Sequence, residues 1–310
     1  MQRDQSILRS GDIVEVLTEE EILSTLGPDG TFEAVPFMPE MRKFCGKRFR
    51  VSKRADKICS EAPYFHMRQM KNAVLLENVR CDGGGHDGCK RLCAIFWKEV
   101  WLRKINPTET DHSSSIDLSG VLQPSNEPIN NDRTYVCQST VLLAGTTNLS
   151  SLDPRQYFKD IRDKNFTIRQ VLYYIFVYVF NRVQYKRGKP EYGQAVWYMA
   201  KTPVTSLNLQ PGELVEVKSR DEIIHTINPR GHNRGLAIDQ EMLQHCGKRF
   251  RVLTRVDRII VEGTGKMREI QNTVALTDLV CTGLCRRGCN RSGYPMWREA
   301  WLKRVEGRTT

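Results

Sequence analysis

The chain has 310 residues, with 47 lysines and arginines against 36 aspartates and glutamates, for a net charge of +11 at neutral pH. Its apolar and charged fractions, 40% and 27%, are those of a folded globular chain, which excludes a disordered or collagen-like polypeptide. The basic excess sits mostly in the last third; it is compatible with a nucleic-acid or anionic-membrane partner and selects neither.

No charged-then-apolar leader is visible at Met1-Gln2-Arg3-Asp4, so the expected compartment is the cytoplasm, with a peripheral membrane location as the variant. There disulfides are disfavoured and clustered cysteines more often bind metal. Residues 11–105 then recur at 212–305. Gly11-Asp12-Ile13-Val14-Glu15-Val16 returns as Gly212-Glu213-Leu214-Val215-Glu216-Val217, and Cys45-Gly46-Lys47-Arg48-Phe49-Arg50-Val51 as Cys246-Gly247-Lys248-Arg249-Phe250-Arg251-Val252. Trp97-Lys98-Glu99-Val100-Trp101-Leu102 returns as Trp297-Arg298-Glu299-Ala300-Trp301-Leu302. The offset is 201 in the first part and 200 from Asn72/Asn272 onward.

Each copy reads as mostly strand with one early helix. Ile13–Val16 and Leu214–Val217 are β-branched runs entered through a Gly-acid turn. Thr18 caps a short helix over 19–26 with acids in its first turn, and the counterpart covers 220–227. The run from Lys47 alternates, which places Phe49 and Val51 on one face and Arg48, Arg50 and Arg54 on the other. Residues 73–79 and 273–280 are apolar strands that deliver Cys81 and Cys281 into glycine-containing loops. The Trp-x-x-x-Trp-Leu segments are closing strands or a short turn, and periodicity does not choose. Short strands on about ninety residues suggest a small, partly open barrel.

Between the copies, 106–133 is rich in Ser, Asn, Pro and Asp, the composition of a flexible linker. Residues 153–188 look helical: Asp153-Pro154 opens one helix and Thr167-x-x-Gln170 forms a capping box for a second. The apolar run 171–180 is far shorter than the roughly twenty residues needed to span a bilayer. Segment 167–187 is therefore a buried helix, or one lying on a membrane surface with its tyrosines at headgroup level. The chain divides into a first four-cysteine module (1–105), the linker (106–133), a helical connecting segment (134–205) and a second four-cysteine module (206–310).

The ligand candidates are Cys45, Cys81, Cys89 and Cys93 in the first copy and Cys246, Cys281, Cys285 and Cys289 in the second. Cys45, Cys81 and Cys89 match Cys246, Cys281 and Cys289, whereas Cys93 faces Gly293 and Gly85 faces Cys285. Keeping a count of four while moving one member fits a tetrahedral site, so two structural zinc ions are expected, with an iron–sulfur cluster as the alternative. Cys59 and Cys137 have no counterparts and read as buried apolar cysteines. His86 could replace a thiolate, although its counterpart is Arg286.

No phosphate-binding loop, nucleophile elbow or His-Glu-x-x-His is present. Glu99/Glu299 and Asp56/Asp257 recur, as structural ion pairs do; residues found in one copy alone, such as His66, His86 or His232, would carry any chemistry. The candidate binding surface is Lys47, Arg48, Arg50, Arg54, Lys248, Arg249, Arg251 and Arg255, with Trp97, Trp101, Trp297 and Trp301 for base stacking. The bland reading of those cations is a solvated strand face with cross-strand ion pairs.

The Gly-Asp-x-Val-Glu-Val opening resembles an SH3-like or KOW-type module, a likeness of fold that implies no function. The set Cys-Gly-Lys-Arg-Phe-Arg-Val, Cys81…Cys89 and Trp-x-Glu-x-Trp-Leu also resembles a group of bacterial hypothetical proteins of the same duplicated layout, which carries over no functional residues. The expectation is a mainly β protein with some α: tandem SH3-like small barrels, each with a four-cysteine metal site, plus a helical inter-module segment. It would act as a non-enzymatic binding or scaffold protein for a protein or nucleic-acid partner. The alternatives are a metalloenzyme or accessory protein of a bacterial biosynthetic pathway, and a membrane adaptor working through 167–187.

Overall fold

The computed structural model describes residues 7–61, 65–105, 133–194 and 202–305; the predicted linker, save Arg133, lies outside the described residues. Two compact units divide the chain. One comprises Met1–Val171 with Ile260–Arg268 and Gly288–Ser292, the other Leu172–Ile259, Glu269–Arg287 and Gly293–Thr310. The protein is mainly β, built from several small antiparallel sheets with few helices.

The first unit is organised by a five-stranded antiparallel sheet in the order Trp97–Lys98, Ala73–Leu76, Arg48–Arg54, Ile13–Val16, Leu102–Lys104. Alternation decides the inner face: Val14 and Val16 are fully buried, opposite Phe49 and Leu102 of the flanking strands. Thr18 closes a capping box with Glu21 on the helix Glu19–Leu23. The tryptophan segment resolves into a two-residue strand, a one-turn 3-10 helix Glu99–Trp101, and the strand Leu102–Lys104. The small, partly open barrel expected from the sequence is an open sheet here, and no closed barrel is seen among the described residues. The turn separates two strands that pair with different neighbours, and each remains at an edge of the sheet.

A bulge corrects one sequence expectation. The register shifts between Val51 and Lys53, and an extra residue in one strand reverses the in–out alternation beyond it. Arg54, expected outside with Arg48 and Arg50, therefore turns inward. It is 5% exposed and reaches Glu99 at 2.6 Å and Asp56 at 2.7 Å. This unit also holds a three-stranded sheet, Ile58–Ser60, His66–Gln69 and Thr147–Asn148, a two-stranded sheet, Thr31–Phe32 and Val35–Pro36, and the helix Arg155–Arg162.

The second unit repeats the sheet strand for strand: Trp297–Arg298, Thr273–Leu276, Arg249–Arg255, Leu214–Val217, Leu302–Arg304. Val215 stands opposite Phe250, Val217 opposite Leu302, and the bulge recurs between Val252 and Thr254. Ser219 closes the matching capping box on Arg220–Ile224. All four repeat tryptophans are core residues with no exposed surface; the indole N–H of Trp101 donates to Thr25 and that of Trp301 to Thr226, both at 3.0 Å.

The helix Ile168–Lys186 starts at the predicted box, where the Thr167 N–H donates to Gln170 at 2.9 Å. One side buries Val171, Tyr174 and Val177. Another leaves Leu172, Phe176, Val179 and Val183 exposed. Asn181, Arg182 and Gln184 interrupt its apolar run, and among the described residues no helix is long and apolar enough to cross a membrane.

Candidate metal centre

The loop after the strand Ala73–Leu76 turns back on itself at Gly83, whose φ is +77° and whose hypothetical Cβ would lie 2.1 Å from the Cys89 carbonyl oxygen. Only glycine fits there. The N–H groups of His86 and Gly88 both donate to the Gly83 carbonyl, at 2.9 and 3.0 Å, and this winding turns His86 into the protein. From the other side, the 3-10 helix Pro39–Phe44 brings in Glu40. The Gly85 N–H donates to Glu40 Oε1 at 3.1 Å, Cys81 Sγ lies 3.6 Å from the same oxygen, and His86 Nδ1 hydrogen-bonds it. The three ligand atoms of Glu40, Cys81 and His86 all lie within 4.8 Å of one another.

Within this triad the carboxylate and the imidazole favour each other's charged forms. Burial alone would raise the Glu40 carboxyl and depress the His86 imidazole. Their mutual hydrogen bond and charge attraction outweigh it, so Glu40 is held below the usual carboxylate range and His86 above the usual imidazole range. Burial, then the charges of Glu40 and Cys93, push the Cys81 thiol well up. Glu40 Oε2 is buried with no hydrogen-bond partner among the described residues. A buried carboxylate oxygen left unpaired beside a thiol is costly, and a bound cation relieves both.

Next to the triad lies a cavity of about 30 Å³ lined by Cys81, His86, Cys89, Cys93, Cys137 and Arg291, among others. Its volume suits an ion or one or two waters rather than an organic ligand. Burial and then the charge of Cys93 lift the Cys89 thiol to about 11. Cys45 does not line this cavity; it is half-buried in the field of Glu19 and Arg42. Cys137, which lies outside the repeat and reads from the sequence as a buried apolar cysteine, also lines the cavity.

No protein family, curated protein or solved structure matches this chain. The chemistry is therefore read from the donors alone.

The second unit holds the equivalent carboxylate. Glu241, on the helix Gln240–Leu243, lies 3.7 Å from Cys281 Sγ and 3.6 Å from Cys285 Sγ, and accepts the Thr282 N–H. Among the described residues, however, only Glu40, Cys81 and His86 converge as three possible ligands, and Glu241, Cys281 and Cys285 do not. Burial, followed by Asp239, Cys281 and Glu241, pushes the Cys285 thiol far above the ordinary value. Cys246 is half-buried near Arg220. Cys289 belongs to the first unit, where its sulfur accepts the Cys59 N–H at 3.1 Å. The hydrogen bond to Cys289 and then the charge of Arg291, working against burial, bring the Cys59 thiol down to about 7.

The basic strands are largely committed to ion pairs. Arg48 stands opposite Glu15 at 3.6 Å and Arg249 opposite Glu216 at 3.1 Å, each a direct cross-strand pair. Arg50 reaches Glu77 at 4.0 Å and the Gly11 carbonyl, and Arg251 the Gly212 carbonyl. Lys47 and Lys248 are exposed, and Arg255 turns inward as Arg54 does. Trp97, Trp101, Trp297 and Trp301 have no surface to stack on bases, because all four are packed in the core. Cysteine spacing does not point to Glu40 or Glu241, although both stand five residues before the repeated Cys-Gly-Lys-Arg.

Proposed function

We propose that this chain is a zinc-stapled, non-enzymatic binding protein, which recruits a protein partner through the helix Ile168–Lys186. The observation that carries the binding role is the row Leu172, Phe176, Val179 and Val183. These residues are spaced four, three and four apart, so they share one helix face, and they are 41–63% exposed. A contiguous apolar row left in water is costly and characteristically marks an interaction surface. The paired cations and buried tryptophans favour a protein over a nucleic acid. The repeated five-strand order supports reading each sheet as an SH3-like module that serves as a scaffold.

Zinc is supported by the mixed donors. Oxygen, sulfur and nitrogen at one point suit Zn²⁺, whereas iron–sulfur clusters are held mainly by thiolates. One ion would sit at Glu40, Cys81 and His86, completed by a sulfur of the adjoining cavity, and a second beside Glu241, Cys281 and Cys285, whose donors do not converge as the first three do.

A photo-crosslinking residue in place of Val179 tests the partner in cells. A discrete protein adduct, lost when Leu172→Asp and Phe176→Asp are added, is the expected result. Adducts to lipid, or none, would overturn the reading. A metalloenzyme remains the second reading, on one observation: the triad offers three protein donors beside a cavity with room for water. Zinc-edge absorption showing a water in the fourth position would select it.

A further inference from the structure

Cys59 occupies a position where the duplication supplies an internal control. In the first unit the Cys59 N–H donates to Cys289 Sγ at 3.1 Å, and the Ile260 N–H donates to Cys89 Sγ at 3.4 Å. These are the same contact at matched positions of the two copies, so a backbone N–H placed on this cysteine is a feature of the architecture. Only at 59/289 does the residue that donates its N–H carry a sulfur of its own.

The surroundings of that pair are built. Cys289 Sγ also accepts the Arg291 N–H at 3.5 Å, so two backbone N–H groups hold this sulfur in place. The Arg291 guanidinium donates to the Cys59 carbonyl at 3.1 Å and to Ser139 Oγ at 2.8 Å, and pairs with Glu262 at 2.6 Å. A fixed cation, itself paired with Glu262, therefore stands beside Cys59. The two residues differ in burial: Cys289 is 2% exposed, whereas Cys59 is half-buried.

We propose that Cys59 and Cys289 form a thiol–disulfide exchange pair, with Cys59 attacking a low-molecular-weight disulfide and Cys289 resolving the adduct. In the first step the Cys59 thiolate attacks one sulfur of the disulfide RSSR. The S–S bond breaks, and RS⁻ leaves and takes up a proton. In the second step the Cys289 thiolate attacks the Cys59 sulfur of the mixed disulfide and expels the second RS⁻, which is protonated in turn. The protein pair loses two electrons and two protons, and RSSR gains them as two RSH. The assignment does not depend on a metal at Glu40, Cys81 and His86, and it makes Cys289 a redox group rather than a zinc ligand.

The test is incubation of the full chain with oxidised glutathione, acid quenching and non-reducing peptide mapping. A peptide cross-linked through Cys59 and Cys289, with loss of two titratable thiols, is expected. Cys289→Ser should accumulate the glutathione adduct on Cys59, and Cys59→Ser should leave Cys289 unmodified. An untouched Cys59 beside a modified Cys45, or a Cys59 adduct that persists in the unaltered protein without closing, overturns the proposal. The mapping of the unaltered protein decides even if a variant fails to fold.

Discussion

The Arg255 guanidinium reaches the Glu299 carboxylate at 3.1 Å, beneath a loop whose three successive N–H groups point at the same side chain. Leu207, Asn208 and Leu209 donate to Glu299 at 2.6, 3.1 and 3.0 Å, and Glu299 has no exposed surface. In the first unit Glu99 holds Arg54 and the Leu8 N–H in the same way. The repeated acid between the tryptophans thus ties the chain entering each module to the inward arginine of the bulged strand.

Removing that acid should be severe. Glu299→Ala strands a partly buried guanidinium and three N–H donors, and loss of one partner of a buried pair costs about 3–5 kcal/mol. Glu299→Gln, which retains an acceptor, should cost less. Urea unfolding of both variants checks the order; an Ala variant as stable as the parent would refute the account.

How much of this was readable beforehand depends on the range of the interaction. Thr18, Thr167 and Ser219 act within one helical turn, and the sequence specifies those starts directly. The inner face of Ile13–Val16 follows from strict alternation. The inward turn of Arg54 does not, because a bulge is one inserted residue with no composition of its own. The metal candidates divide in the same way. Cys81 was evident from its glycine-rich loop, while Glu40 lay among ordinary acids and its recurrence as Glu241 was the one available signal. Cys137 comes from outside the repeat, so no internal comparison could nominate it.

Gly83 should be irreplaceable. A Cβ there meets the Cys89 carbonyl oxygen at 2.1 Å on a left-handed backbone, and Gly84 beside it meets only the Asp82 side chain, at 3.2 Å. Gly83→Ala is expected to cost at least about 1–3 kcal/mol and to lower metal content by displacing His86, with Gly84→Ala near neutral. Thermal unfolding with elemental analysis separates the two.

Metal loss should follow the triad and not the repeat motif. Cys81→Ser and His86→Gln should each remove about one zinc per chain, since a structural site is closed by all its ligands. Cys45→Ser, a change outside the cavity, should leave the stoichiometry intact. A chelator should lower the unfolding temperature of the parent and leave that of the Cys81→Ser/Cys281→Ser double variant almost unchanged. Zinc loss from Cys45→Ser would return that residue to the ligand set.

Glu222 makes stability depend on acid in a defined window. Its carboxylate bonds Lys303 at 2.8 Å and accepts the Ser219 N–H at 3.0 Å and hydroxyl at 2.8 Å. The Lys303 bond first, then the Ser219 bonds, hold its pKa at about 2, against about 4.3 for an unfolded glutamate. A carboxyl with its folded value below its unfolded one contributes stability above the unfolded value and loses it as the pH falls toward the folded value. Glu222→Gln should therefore be less stable than the parent at about pH 6, and the gap should narrow steadily from about pH 4.5 downward. Lys303→Met should produce the same narrowing, because it removes the largest contributor to the shift. Denaturation midpoints measured across that range decide the matter: a gap that stays constant into acid means that Glu222 titrates as it does in the unfolded chain.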